Sequence, residues 1–355
     1  MEPVYATRED VQRATDSKLT ARNAGQIDRA LQSASRDVES LCHRVFYPEV
    51  GTRYFDWPDS QYGTPWRLWL DDSELLSLNS LSSGGVTIDL ADVLLEPNRS
   101  GPPYNRIELN TGTAASFSGG DTPQRNVAAA GLWAGSPLTE TTVGALAGAV
   151  ATTTATQVTV NGPASALLGV GSIIRVDTER MLVTGRSMAD TGQNLGTDID
   201  QQIKTVTIPV ASGAAFAADE VILIDGERML IVDIAANTLI VKRAWDGSAN
   251  AAHASGADVF APRTLTVERG ALGTTAATHS DAAPVVRWDP PGPVHLLTIA
   301  EAINTVIMEQ AGYSKVLRSG ESGGSSERNR DQKGVERLRQ QVYDSHGRKG
   351  RVRAV

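Results

Sequence analysis

Apolar residues recur every three or four positions in two long stretches of the chain, one near its beginning and one near its end. Such spacing places apolar side chains on one side of a helix, which then packs against a core. We therefore predict a helix from about residue 20 to 44 and another that begins at Pro293, after a proline-rich break. The stripe of the first helix is Ile27, Leu31, Val38 and Leu41, and that of the second is Leu296, Leu297, Ala300, Ile303, Val306 and Ile307.

Between these helices the pattern changes to short apolar runs that are separated by glycine and proline. Such runs between residues 53 and 110 predict antiparallel strands. They carry several aromatic side chains, for which we weigh two roles: a core or subunit interface, and a platform on which bases or sugars stack. These aromatic residues are Tyr54, Phe55, Trp57, Trp66 and Trp69.

The middle of the chain contains two internal matches with different offsets. Residues 158–183 match residues 206–231 at an offset of 48, and both contain Asp-x-Glu-Arg-Met-Leu. Residues 238–259 match residues 264–285 at an offset of 26. Tandem copies would show one offset, whereas a copy inserted into another copy shows two.

We therefore predict an outer repeat, residues 139–204 and 262–288, that contains an inner repeat, residues 205–261. Each repeat is expected to form a small closed or half-closed barrel, because closure buries both faces of strands that comprise few residues. Nesting also requires that the chain ends meet at each junction, near residues 138/289 and 186/262.

The C-terminal region differs in charge from the rest of the chain. The chain carries a net charge of −8, yet from Ser314 onward it has eleven Lys and Arg against five Asp and Glu. A last helix, from about residue 327 to 343, has a thin apolar stripe of Val335, Leu338 and Val342. So thin a stripe is typical of a segment that docks on a partner, although the same composition also fits a solvated, disordered terminus.

Composition and motifs exclude several kinds of chemistry. A single cysteine, Cys42, rules out a disulfide framework and a cysteine-based zinc site within one chain, and we expect it to lie in the core. His253 and His279 occupy equivalent positions in the repeats without Asp, Glu or Cys at ligand spacing, so we interpret them as structural. Ser322 lies in a G-x-S-x-G match, but within a flexible linker that does not suit a nucleophile. We predict no catalytic residue, no cofactor, no metal and no membrane span.

The segments that flank the repeats resemble the head-to-tail adaptor (head–tail connector) proteins of long-tailed bacteriophages. The resemblance is carried by IDRALQSASRDVESLCHRVFYP, TRYFDWP, RLWLDDSELLSLNSLSSGG, LLEPNRSGPPYNRIEL and PGPVHLLTIAEAINTVIMEQAGYS. It covers residues 1–138 and 289–355, which we expect to form one adaptor domain. The β insertion at 139–288 departs from the family, whose members are usually much shorter.

This resemblance implies an α+β fold: a helical adaptor core with a short β-sheet, interrupted by a large all-β insertion made of the two nested barrel-like repeats. It implies a structural protein of the virion neck, which forms a ring, expected to be a dodecamer, below the portal protein. The ring would complete the DNA-filled head, and double-stranded DNA would pass through it without sequence-specific binding. A stopper or tail-completion protein would bind its other side, and assembly would take place in the host cytoplasm.

Within that picture the stripe of the first helix lies in the ring wall, and the C-terminal helix and tail dock on the portal. An acidic body suits a DNA channel, because repulsion between like charges prevents phosphates from sticking. Two alternatives remain open: a host-surface or glycan-binding module carried by the nested repeats, and a hydrolase that would depend on Ser322. The predicted portal-docking residues are Val335, Leu338, Val342, Tyr343, Arg348, Lys349, Arg351 and Arg353.

Overall fold

The computed structural model describes residues 1–16, 20–58, 64–310 and 324–348, with the backbone alone for residues 324–333. Strands account for 35% of the structure and helices for 25%. Ten of the strands belong to a single sheet. The predicted α+β fold, with a helical core and a short sheet, is therefore wrong. The protein is mainly β because the strands of both repeats join one ten-stranded sheet.

The elements of the described residues follow in chain order. The helices are α1 (Arg8–Ala14), α2 (Ala24–Cys42), α3 (Gly162–Leu167), α4 (Gly292–Gln310) and α5 (Gly324–His346). The first strands are β1 (Glu49–Phe55), β2 (Arg67–Trp69), β3 (Leu75–Ser83), β4 (Val86–Ile88), β5 (Val93–Glu96), β6 (Arg106–Leu109) and β7 (Val127–Trp133). The remaining strands are β8 (Glu140–Ala145), β9 (Gln157–Thr159), β10 (Ile173–Val176), β11 (Glu179–Asn194), β12 (Thr207–Pro209), β13 (Val221–Ile224), β14 (Glu227–Ala235), β15 (Thr238–Lys242), β16 (Asp258–Glu268) and β17 (Pro284–Trp288).

The chain divides into two compact units. This division differs from the predicted one, in which residues 1–138 and 289–355 formed one domain, because the N-terminal helices and α4 group with the repeats. The first unit consists of Met1–Val38, Glu140–Ala271 and Thr275–Leu338, and the second of Glu39–Thr139, Leu272–Thr274 and Arg339–Val355.

The helices of the first unit share a small core. α1 begins at a capping box, in which Thr7 and Asp10 satisfy each other's backbone amides. α2 contributes Ile27 and Leu31 to a buried cluster that also contains residues of α1 and α4. Val38 is buried as well and Leu41 is half-buried. The stripe predicted for the first helix therefore packs inside the chain.

The stripe predicted for α4 is partly wrong. Leu297 and Val306 are buried, but Leu296 and Ile307 are 56% and 53% exposed. α4 carries apolar residues on more than one side, and periodicity alone does not determine which side of such a helix meets the core.

The two repeats have the same strand order within the ten-stranded sheet. The outer repeat follows the path β9-β16-β11-β10-β17-β8, and the inner repeat follows β12-β15-β14-β13-β16-β11. In each path the two end strands are joined by an antiparallel bridge, Leu146 to Val160 in the outer repeat and Leu195 to Val210 in the inner one. Each path therefore curls around its own hydrophobic cluster.

The long strands β11 and β16 pass through both repeats. Their pairing includes Ser187 with Thr264 and Ala189 with Ala261. The prediction that the chain ends meet near residues 186 and 262 is confirmed. From here on, the inner repeat denotes residues 189–261, because its buried cluster already begins at Leu195 rather than at residue 205.

The second unit contains two small antiparallel sheets, with strand orders β1-β7-β3-β4 and β2-β6-β5. A bulge in β3 brings its backbone close to the middle of β7. Gly131 of β7 lies there, opposite Gly51 of β1. The core of this unit consists of Leu68, Leu70, Leu75, Leu81, Ile88, Ile107, Leu109, Phe117, Val127, Ala129 and Trp133.

We predict that Gly131→Ala destabilises the second unit whereas Gly51→Ala does not. A methyl group at Gly131 would collide with the carbonyl oxygen of Ser77, whereas one at Gly51 would meet nothing within 4 Å. Because crowding of this kind costs about 1 to 3 kcal/mol, Gly131→Ala should lower the thermal unfolding midpoint of the full chain. Equal midpoints for the two variants would contradict the β3–β7 geometry.

Candidate functional site

A fully buried carboxylate occupies the same place in both repeats, and the one of the inner repeat is Glu227 at the start of β14. Arg243 donates to both of its oxygens, from Nε to Oε1 at 3.0 Å and from Nη2 to Oε2 at 2.6 Å. The backbone amides of Ala244 and Ala251 donate to the same carboxylate, each at 3.0 Å. This carboxylate is thus surrounded by donors from the end of β15 and from the following loop.

The outer repeat reproduces this arrangement at Glu179, the first residue of β11. Arg269 donates from Nε to Oε1 at 2.7 Å and from Nη2 to Oε2 at 2.8 Å. The amides of Gly270 and Ala277 donate to the two oxygens at 2.9 and 2.8 Å. We refer to each arrangement of a buried glutamate, its arginine and the two amides, together with the histidine and the aspartate described next, as a clasp.

Each clasp is completed by a buried histidine that lies between two carboxylates. In the inner repeat His253 Nδ1 is 2.6 Å from Asp225 Oδ2, and Nε2 is 3.0 Å from the buried glutamate. In the outer repeat His279 makes the same contacts, with Asp177 and with the buried glutamate, both at 2.8 Å. The sequence interpretation of both histidines as structural rested on the absence of acidic neighbours, whereas the fold supplies those neighbours from a distant part of the chain.

The clasps position the tight turns of the β10–β11 and β13–β14 hairpins. Asp177 and Asp225, which precede the buried glutamates by two residues, have φ values of 52° and 51°. Asp tolerates this left-handed backbone better than most residues, and the turn suits the twist of a hairpin. Each turn therefore holds one carboxylate inside the fold and one at the surface.

The electrostatics of the clasp keep its glutamate ionised. Burial, the largest single influence, acts to raise the pKa of Glu179, but hydrogen bonds from Arg269, the two amides and His279 outweigh it and lower the pKa to about 2. Burial likewise acts to raise the pKa of Glu227, and the corresponding donors, led by Arg243, outweigh it and lower the pKa to about 2. An acidic group that stays charged and is saturated with donors does not suit proton transfer, so the clasp is built to hold the fold together.

The arginines extend each clasp to a further loop. Arg243 Nη1 donates to the carbonyl oxygens of Asp200 and Gln202, at 2.6 and 3.1 Å. The outer arginine donates to Thr152 and Ala155, at 3.2 and 3.0 Å. Each guanidinium thus ties the loop before the second strand of its repeat to the hairpin turn.

Sequence reasoning missed these clasps, although the signal was present. Several of the polar identities between the repeats are the clasp residues, while others, such as Arg180 with Arg228 and Thr159 with Thr207, lie outside the clasps. The aspartate and the glutamate of each clasp are two residues apart, but the arginine and the histidine lie at least 16 residues from them, too far for a spacing rule to join them. The matched polar positions are Asp177 with Asp225, Glu179 with Glu227, Arg269 with Arg243 and His279 with His253.

A different kind of site is the exposed apolar side of α4. Leu296, Ile307 and Met308 are 56%, 53% and 42% exposed, and Ile303 between them is half-buried. The opposite side of the same helix is buried among α1 and α2. We call Leu296, Ile303 and Ile307, which lie on one side of the helix, the α4 face. A rigid helix that presents large apolar side chains to solvent is typical of an interaction surface.

The predicted docking residues of α5 have mixed environments. Val342 is fully buried and Tyr343 is 39% exposed, while Val335 and Leu338 are half-buried. Arg348 forms ion pairs with Asp72 and, at 3.4 Å, with Glu74. Lys349, Arg351 and Arg353 lie outside the described residues. Val342 and Arg348 are therefore engaged within the chain, which a sequence pattern does not reveal.

The candidate nucleophiles do not form a site among the described residues. Cys42 is fully buried at the end of α2, and burial, opposed in part by Arg44, raises its pKa to about 11. Such a thiol remains protonated, in keeping with a core position. Ser322 lies outside the described residues.

We predict that acid selectively removes the stabilisation provided by the clasps. The pKa of each buried glutamate is about 2 in the folded protein and 4.5 ordinarily. Their stabilisation is therefore complete above about pH 4.5 and is lost as the pH falls towards 2. Each contributes about 3 kcal/mol. The free energy of unfolding of the wild type, measured with urea, should therefore fall steeply between pH 5 and 3.

The double variant Glu179→Gln/Glu227→Gln should show a much shallower loss over the same pH range. Glu268→Gln, at an exposed carboxylate of β16, is the matched control and should keep the wild-type slope. A wild-type slope in the double variant would contradict the assignment.

Within residues 1–16, 20–58, 64–310 and 324–348, no group of His, Cys, Asp and Glu has the geometry to hold a metal ion. In the same part of the chain no helix has both the length and the apolar character needed to cross a bilayer. Comparisons with models of known families, with curated proteins and with solved structures found no match to this chain.

Proposed function

We propose that this chain is a structural connector of the bacteriophage neck, which assembles into a ring through its helices and joins head to tail. The observation that carries the proposal is the α4 face, on which Leu296 and Ile307 are more than half exposed while the rest of the helix is embedded in a core. The resemblance of the flanking segments to head-to-tail adaptors supports the same role.

The helical layer is suited to present that face rigidly. α2 buries Ile27 and Leu31 in the same cluster as Val306 of α4. Arg8 of α1 forms an ion pair with Asp28 of α2, with its Nε 2.8 Å from Oδ1. The core of the layer is complete within one chain, so the α4 face is available for other copies of the chain.

Charge supports the proposed path of DNA and the proposed partner. The chain has a net charge of −8, so double-stranded DNA could pass along an acidic wall without sticking. The C-terminal region is basic. A basic terminus suits docking on a portal protein, and a stopper or tail-completion protein would then bind the free side of a dodecameric ring. The resemblance supports the virion neck as its location, reached after assembly in the host cytoplasm.

The docking role is assigned to a smaller set of residues than the sequence predicts. Val342 and Arg348 are occupied within the chain, as described above. We therefore place docking on the basic residues that follow Arg348 and on the less buried positions of α5. The basic residues are Lys349, Arg351 and Arg353, and the α5 positions are Val335, Leu338 and Tyr343.

We predict that Ile307→Asp abolishes assembly without unfolding the protein. A charge in the middle of the α4 face would be desolvated by a neighbouring copy, whereas in the free chain it faces water. The measurement is the number of copies bound to portal-bearing heads, counted by electron microscopy, together with the thermal unfolding midpoint of the free protein. Asn304→Asp places the same charge at an exposed polar position of the same helix and should assemble normally. Normal assembly of Ile307→Asp would refute the role of the α4 face.

We also predict that Lys349→Ser/Arg351→Ser/Arg353→Ser weakens attachment to portal-bearing heads and reduces its salt dependence. Loss of three positive charges removes the electrostatic part of docking, which salt screens. Co-sedimentation with the heads at two salt concentrations measures the effect. Arg99→Ser/Arg125→Ser removes two exposed arginines of the second unit and should leave attachment unchanged. Equal attachment of the triple variant and the wild type would refute the docking role of the tail.

A further inference from the structure

The two repeats do not share a hydrophobic core. The buried cluster of the outer repeat draws its members from between Val143 and Val183 and from between Leu265 and Val285. That of the inner repeat lies between Leu195 and Val259. No residue belongs to both clusters as the structure describes them. Apolar burial, the main source of folding free energy, is thus partitioned between the repeats.

The polar networks are partitioned in the same way. The inner clasp joins Asp225, Glu227, Arg243 and His253, and its arginine also reaches the carbonyl of Asp200. All of these residues lie within the inner repeat. The outer clasp likewise uses only residues of the outer repeat. Opening one repeat therefore breaks one clasp and leaves the other intact.

Among the described residues, the inner repeat is attached to the rest of the chain by the β11–β16 ribbon, by polar contacts and by a close approach of Thr20 to Gly247. The largest of these contacts is the ion pair of Arg263 with the buried Glu220, with Nε 2.9 Å from Oε1. The inner repeat also contacts α1 and Asp16, which follows α1 by two residues. These contacts are polar and lie mostly at the surface. They are Gln12 with Asp246, Arg13 with the carbonyl of Asp219, and Asp16 with Lys242.

The connectivity makes the two repeats unequal. The inner repeat is one continuous segment with adjacent ends. It therefore keeps its complete hydrophobic cluster and its complete clasp when the outer repeat opens. The outer repeat is made of two segments, and it must hold them together across the inner one. If the inner repeat unfolds, a tight turn is in effect replaced by a loop of about 70 residues, which lowers the probability of closure about 50-fold.

We infer that the inner repeat, residues 189–261, is an independently cooperative module: it opens without unfolding the outer repeat and stays folded when the outer repeat opens. In the outer repeat, the module occupies the position that is equivalent to the short turn between β14 and β15 of the inner repeat. Whatever the inner repeat binds or displays is therefore separable from the assembly of the rest of the chain. This inference stands independently of the proposed function.

Hydrogen exchange of the full-length protein, followed by mass spectrometry, tests the module with two matched pairs of variants. Glu227→Gln and Met229→Ala weaken the clasp and the core of the inner repeat, and Glu179→Gln and Met181→Ala do the same in the outer repeat. Both methionines are fully buried. Removal of a buried methionine side chain is strongly destabilising, so exchange should rise at least tenfold in the repeat that is altered.

The expected result is selective in both directions. Inner variants should raise exchange in peptides from residues 195–259 and leave those from residues 143–183 and 265–285 near their wild-type rates. Outer variants should do the reverse, and the inner repeat should keep its protection. A rise of equal size in both repeats, for either pair, would show a single cooperative unit and overturn the inference.

A deletion provides a second measurement on the same claim. Residues 190–260 are replaced by residues 233–237, the turn of the inner repeat. The shortened chain should unfold cooperatively and retain slow exchange in the outer repeat. Exchange at unprotected rates throughout residues 143–183 would overturn the inference.

Discussion

The pairing of β11 with β16 is the constraint on which the rest of the β structure depends. These strands pair from Leu182 and Glu268 at one end to Asn194 and Asp258 at the other. Because side chains alternate between the faces of a strand, one ribbon must supply inward residues to two different cores. Register shifts along the ribbon, at Ser187/Ala189 among other places, adjust the strands between one repeat and the next. The ribbon thus lets two repeats share strands while their cores stay separate.

The clasps join the hairpin turn of each repeat to two loops that are distant in sequence. A buried carboxylate is expensive unless donors surround it, because desolvation penalises the charged form. Glu179 and Glu227 each accept from an arginine, from two amides and from a histidine, so they are fully satisfied. Replacing one partner would leave the others facing an uncompensated group. This interdependence explains why the same polar set recurs in both repeats although much of the surrounding surface differs.

Part of this architecture could be predicted from the sequence, because it is encoded locally. The long helices follow from apolar periodicity. The nesting of the repeats follows from two unequal offsets. Each of these signals lies within a few residues or within a direct comparison of two segments.

What could not be predicted depends on contacts between distant residues. His279 meets Asp177 across 102 residues of sequence, so no spacing rule could pair them. The α+β assignment was wrong because it expected a helical core with a short sheet, whereas ten strands join one sheet through β11 and β16, whose pairing across both repeats no local pattern shows. Val342 has the periodicity of a docking residue, yet it is buried within the chain. Periodicity shows that a side chain seeks apolar surroundings but not which partner provides them.

The apolar area of the α4 face indicates how strongly two copies of the chain would associate through it. Its two most exposed side chains, Leu296 and Ile307, offer apolar surface on the order of 200 Å², whose burial would contribute about 5 kcal/mol. Association of two proteins costs roughly 4 to 15 kcal/mol in lost translational and rotational freedom. This face alone would therefore hold two free copies together only weakly. In the proposed ring, every copy would have two neighbours, and docking on a portal would raise the local concentration of copies, which favours the same weak contact. On the proposed function, the face is strong enough to complete a ring on its template and too weak to form one prematurely in solution.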